Sequence, residues 1–344
     1  MKPNIESAEI KLEFLDEYIY PENVTFGGTK IGGLSGVDFA DDIYYLIADD
    51  PSEPRFYQAT IDISNASIDT VIFTKTVFIK DDFNFLDMEA IRFNPGDNSL
   101  IISTEGHINS GKDPIVFSID TTMGEVKYTY AIPDYFLANS SAKPRHNGLF
   151  EGLCKSYGQN GFWVGMELPL ENDGSEPATV KGYYPVRITL FDNKAGKAVR
   201  QFAYPLDNIE LVPKGDFAVN GLTDILEYNT DKFLVLERSF SSGWGTHGNV
   251  VKVFKVDASK ATNTLNTDCI TQEEIIPASK ELLFNFNTIK GQLTDGIIDN
   301  IEGFTFGPTL PDGSKTLLFI ADNNFNKLGK QLNQFILLRL VEKL

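Results

Sequence analysis

A motif written five times along the chain constrains its fold more than any other feature of the sequence. The clearest copy runs from Asp299 to Asn326, DNIEGFTFGPTLPDGSKTLLFIADNNFN: an acid beside a glycine, a short apolar run, a Pro-Asp-Gly turn, and a second apolar run ending in an acid. This is the pattern of a β-hairpin with a carboxylate at each end. Earlier copies open at Gly32 (GGLSGVDF, then IYYLIADD), Asp87 (DMEAIRF, then STEG), Phe150 (FEGLC, then FWVGME) and Gly221 (GLTDILEY, then FLVLER). The position filled by Ser35, Glu89, Glu151, Thr223 and Glu302 recurs at spacings of 54, 62, 72 and 79 residues, as if loops lengthened on a constant core.

Further apolar runs follow each hairpin, so the unit is four strands, and self-similar four-stranded units predict an all-β chain folded as a β-propeller. The fifth copy has only three strands before the C-terminus. Glu9–Tyr20, which begins with period-2 alternation, supplies the fourth and closes the ring. The expectation is one propeller over residues 1–344 with five blades, and a sixth only if Ala258–Pro277 hides one. The best helical candidate, Gln272–Leu283, is short and broken by Pro277.

A formal charge of −18 argues against a nucleic-acid or anionic-membrane partner and leaves carboxylates to spare for a cation. The N-terminus shows no apolar signal region, and no apolar run approaches the roughly 20 residues of a membrane span. Cys154 and Cys269 lack any metal-ligand spacing and read as core thiols.

Acids recur at the start of the first strand and the end of the second: Glu89 with Glu105, Glu151 with Glu167, Asp224 with Glu237, Glu302 with Asp322, and Asp49 opposite Ser35. Such hairpin ends share one rim of a propeller, where like charges repel unless a cation neutralises them. Ca²⁺, which takes six to eight oxygens, or another divalent cation suits that set; the competing reading pairs single acids with rim bases. Arg92, Arg145 and Arg238 stand beside these positions, suited to a phosphate through bidentate bonds or to internal ion pairs. His107 and His146 are candidate proton carriers, and Asn147, Asn300 and Asn323 are candidate polar contacts. The Gly106–Asp113 segment resembles a Walker A loop until Asp113 replaces the magnesium-binding hydroxyl.

GGLSGV, MEAIRF with STEG, NGLFEGL, GLTDIL with LVLERSF, and NIEGF with ADNNF, in that order from about Gly32 to Leu340, resemble the phytase-like family described as having esterase-like activity of phytase. The resemblance implies a propeller exported from a bacterium and acting on phosphoesters. Read through it, the chain is a monomeric calcium-dependent hydrolase of a small anionic phosphoester. Its metal site comprises Asp49, Glu89, Glu105, Glu151, Glu167, Asp224, Glu302 and Asp322. Arg92, Arg145 and Arg238 hold the phosphate, Glu237 is the general base, and His146 assists. His107, Asn147, Asn300 and Asn323 line the substrate site. Two alternatives stay open: a non-catalytic propeller with a structural calcium that binds a glycan or protein, and a calcium-dependent lactonase or carboxylesterase, for which Phe83, Phe85, Trp163 and Trp244 could provide apolar surface.

Overall fold

The computed structural model describes residues 9–343 other than 81, 82, 84, 85, 159, 272, 273 and 328. Five four-stranded antiparallel sheets stand as the blades of a propeller. Their innermost strands are Leu34–Ala40, Met88–Asn94, Phe150–Lys155, Ala218–Asn229 and Ile301–Phe306, each packed against the next and the last against the first. Inner strands are buried on both faces, as Met88–Phe93 shows, whereas the outer strand Ser67–Phe78 alternates buried and exposed residues. Burial thus grades from axis to rim, as the near-continuous apolar runs and the alternating ones require.

Glu9–Tyr20 is the outermost strand of the fifth blade, antiparallel to Asn333–Lys343 from Glu9↔Lys343 to Tyr20↔Asn333. This pairing joins the two ends of the described chain in one sheet. Among the described residues of 258–277 there is no strand, so the ring has five blades and no sixth. The segment considered for a helix instead supplies Ser279–Asn285, the outer strand of the fourth blade, just past Pro277. A second correction concerns the thiols. Cys154 is buried as expected, but Cys269 is exposed, with Sγ 2.8 Å from the Asn172 carbonyl.

Each blade carries an irregularity between its first two strands, at Leu34/Gly36, Met88/Ala90, Phe150/Gly152, Leu222/Asp224 and Ile301/Gly303. The skipped residues are Ser35, Glu89, Glu151, Thr223 and Glu302, the recurring position of the sequence. A β-bulge leaves one residue unpaired and re-aims its side chain. The residues that follow are Gly36, Ala90, Gly152, Asp224 and Gly303. A Cβ at Gly36 would lie 2.7 Å from the Glu89 carbonyl, and one at Gly303 2.7 Å from that of Ser35, so glycine is what lets the inner strands meet.

Candidate functional site

In four of the five blades the second strand of the hairpin ends one residue before the mouth; in the fourth, Lys232–Ser241, it runs on through it. Pairing of Leu34 with Ala48, Met88 with Thr104, Phe150 with Met166 and Ile301 with Ala321 puts Asp49, Glu105, Glu167 and Asp322 at equivalent places. In the fourth blade Leu222 pairs with Glu237, so the equivalent residue is Arg238. The mouth therefore has acids from four blades and Thr223 with Arg238 from the fourth. Asp87, which the reading of the sequence left out, joins them two residues ahead of Glu89.

Two groups of three carboxylates have ligand oxygens all within 4.8 Å of one another: Asp49, Asp87 and Glu89, and Glu89, Glu105 and Glu151. Glu89 belongs to both. Asp49 Oδ1 is buried without a hydrogen-bond partner, and Glu105 accepts the Leu149 amide at 2.8 Å. Burial, followed by repulsion among these neighbours, raises the pKa of Asp49, Glu89, Glu105 and Glu151 well above the carboxylate range. Burial holds Glu167 and Glu302 at about 7 and Asp322 at about 8. The set is all oxygen, partly unpartnered and mutually repulsive, which fits a hard divalent cation.

Arg238 reaches into this acid field. Its Nη2 lies 3.2 Å from Glu302 and 3.6 Å from Glu167, and its Nε is buried without a partner. Asn300 Nδ2 donates to Glu302 at 2.8 Å. Asn323 Oδ1 accepts the amides of Gly33 and Phe325, leaving its buried Nδ2 unpartnered. Just beyond, Asn324, Phe325 and Asn326 all have positive φ, folding the chain back so that the Asn324 amide donates to Asp322 at 2.7 Å. The His107 and His146 rings lie 4.5 Å apart between centroids. His107 is two residues beyond Glu105 and His146 three before Leu149, so the pair flanks the Glu105 side of the mouth. Asn147 is exposed on the same turn.

Four residues expected here are engaged elsewhere. Arg92 and Asp224 form a fully buried ion pair at the axis, Nη2 to Oδ2 at 2.7 Å. Asp224 occupies the place of the small residues in the other blades, one beyond the bulge. Arg145 binds Glu176 and the Pro169 and Gly174 carbonyls, tying down a loop of the third blade. Glu237 points away from the channel because it alternates with Arg238 along one strand. Its oxygens accept from Tyr204, the Asp207 amide, Asn220 and Lys280. Of the aromatics, Trp163 is core, Trp244 lies on the rim, and Phe85 lies outside the described residues.

Fold and site together define a five-bladed propeller protein with an acidic centre at its channel mouth. The chain belongs to the phytase-like family, described as having esterase-like activity of phytase, whose sequence model matches residues 29–325. No curated protein matches it. Among solved structures it is similar to a glutaminyl cyclase of Myxococcus xanthus, at 12% identity and a TM-score of 0.43, covering 98% of this chain and 99% of that one. A DUF4221 member from Bacteroides vulgatus gives 10% identity, a TM-score of 0.41, and coverage of 98% and 99%. A putative oxidoreductase (glucose dehydrogenase) from Thermus thermophilus gives 10%, 0.38, and coverage of 97% and 100%. Among the described residues no helix is long and apolar enough to cross a membrane.

Proposed function

We propose that the protein is a divalent-cation-dependent hydrolase of small phosphoesters, working at the channel mouth. The observation that carries this reading is the pair of carboxylate triads sharing Glu89, with Arg238 among the neighbouring acids. Asp49, Asp87, Glu89, Glu105 and Glu151 would hold the cation, calcium being the choice for an all-carboxylate set, and the shared Glu89 suits two ions side by side. Once bound, the ion supplies polarisation of a phosphoryl oxygen and a water of lowered pKa.

The remaining roles fall to side chains. Arg238 offers its unpartnered Nε to a phosphate oxygen. Glu302, oriented by Asn300 and Arg238, takes the general-base role in place of Glu237. His107 and His146 are assigned to the leaving-group proton, and Asn323 Nδ2 and Asn147 to substrate contact. Glu167 and Asp322 complete the negative wall. On this reading the protein is an exported monomer whose substrate diffuses to the mouth.

A second reading has a specific observation behind it. With Arg92 and Arg145 committed elsewhere, one arginine is left to meet a phosphate, which suits a binding module with a structural ion. The deciding experiment assays phosphomonoesters, inositol hexakisphosphate and nucleotides, with p-nitrophenyl acetate as the carboxylester arm, with added calcium and after chelation. Calcium-dependent phosphate release lost in Glu89→Gln and Arg238→Gln supports the hydrolase. Release of p-nitrophenol from the acetate alone moves the activity to carboxyl esters. No turnover, with calcium still raising the melting temperature, leaves the binding module.

A further inference from the structure

A cavity of about 310 Å³ opens on the same rim, outside the acid centre, where the fourth blade meets the 286–298 segment leading to the fifth. It is lined by the apolar Leu211 and Val250 together with Trp244, His247, Asn249, Asn287 and Lys290. In a chain of net charge −18, none of its lining residues is acidic. Val250 pairs with Ser239, next to Arg238, so the cavity starts one strand out from the mouth.

Three features of the lining specify a ligand. The indole of Trp244 is fixed, its Nε1 donating to the Val212 carbonyl at 3.0 Å and the Lys214 ammonium lying 3.4 Å above the ring. A fixed aromatic surface takes up an apolar ring face at little entropic cost. Asn249 spends its Nδ2 on the Ile298 carbonyl, while its Oδ1 is buried without a partner and needs a donor such as a hydroxyl. Lys290 makes no ion pair among the described residues and presents a cation.

We propose that this cavity binds an acidic sugar ring: its C–H face against Trp244, a hydroxyl donating to Asn249 Oδ1, and its carboxylate met by Lys290. The Asn249 acceptor favours a hydroxyl-bearing ring over a flat aromatic acid, and Lys290 favours a uronic acid over a neutral hexose. The site is separate from the metal centre and independent of whether that centre is catalytic.

The two tryptophans make it testable without turnover, since Trp163 is fully buried and Trp244 lines the cavity. Intrinsic fluorescence of the full chain is titrated with glucuronate, glucose and benzoate, with and without chelator. The expected result is a saturable change with glucuronate, unaffected by chelation, at about tenfold lower concentration than with glucose, as one charge-assisted bond implies. Trp244→Phe should abolish the change while the melting temperature is retained, and Lys290→Gln should bring the two sugars within about twofold of each other. Silence with glucuronate overturns the proposal, as does equal response to both sugars in the unmodified protein or a stronger response to benzoate. Loss of phosphoester hydrolysis leaves this result untouched.

Discussion

Arg92 Nη2 donates to both carboxylate oxygens of Asp224, at 2.9 and 2.7 Å, and through this pair the inner strands of all five blades are joined. Arg92 also donates to the carbonyls of Val37 and Phe304, while Asp224 accepts the amides of Leu153 and Phe304. The ion pair lies at the axis, below the acid mouth.

Removing one partner of this pair should therefore destabilise the whole ring. Arg92→Ala or Asp224→Ala leaves an uncompensated buried charge, which costs about 3–5 kcal/mol. Chemical denaturation should show that loss. Lys80→Ala, breaking an ion pair exposed on both sides, should change stability by under about 1 kcal/mol. Equal effects from the two would show that the axial pair is not what joins the blades.

Calcium should raise the melting temperature, by about 2.7 kcal/mol of added stability at a concentration of 100 Kd. Glu89→Gln should remove most of this response because Glu89 serves both triads, whereas Asp49→Asn, which touches one, should leave part of it. A calcium response in Glu89→Gln equal to that of the unmodified protein would place the ion elsewhere.

Without metal, stability should fall as pH rises from about 4 towards 8. Glu167 and Glu302 are held at about 7 and Asp322 at about 8 in the folded chain, above the ~4 of an unfolded carboxylate. Between these values the folded state binds more protons at these three groups than the unfolded state, so the stability they contribute is complete below about pH 4 and lost as they ionise. Melting curves in chelator across that range test this, and saturating calcium should flatten or invert the slope.

Arg238→Gln should lower kcat/KM for a phosphoester by about 10²-fold, the scale of losing one preorganised donor. Glu237→Gln should leave turnover within a few-fold and instead lower the melting temperature, because it weakens a buried carboxylate that neutralises Lys280. A collapse of turnover in Glu237→Gln at full stability would return the general-base role to that residue.

Much of this molecule was legible in the order of its residues. The four strands of each blade, the blade count and the ring closure follow from local patterning and turn chemistry, since a strand's period and its punctuation are properties of neighbouring residues. The recurring position that holds Ser35, Glu89, Glu151, Thr223 and Glu302 was legible too, because a repeat carries its bulge with it. Asp87 could have been read as part of the site from its place two residues ahead of Glu89.

What only the tertiary structure decided is which way charged side chains face and what they meet. Glu237 and Arg238 are adjacent in sequence, yet period-2 alternation sends one between blades and the other into the mouth. Asp224 stands one residue past a bulge and not in it, so it meets Arg92, 132 positions away in the chain, at the axis. Arg145 lies beside the mouth in sequence but is drawn off by Glu176 and two loop carbonyls. The acids themselves were written in the sequence, while their convergence depended on the ring closing. A buried charge must find its partner across the fold, and that choice is made by space rather than by sequence neighbourhood.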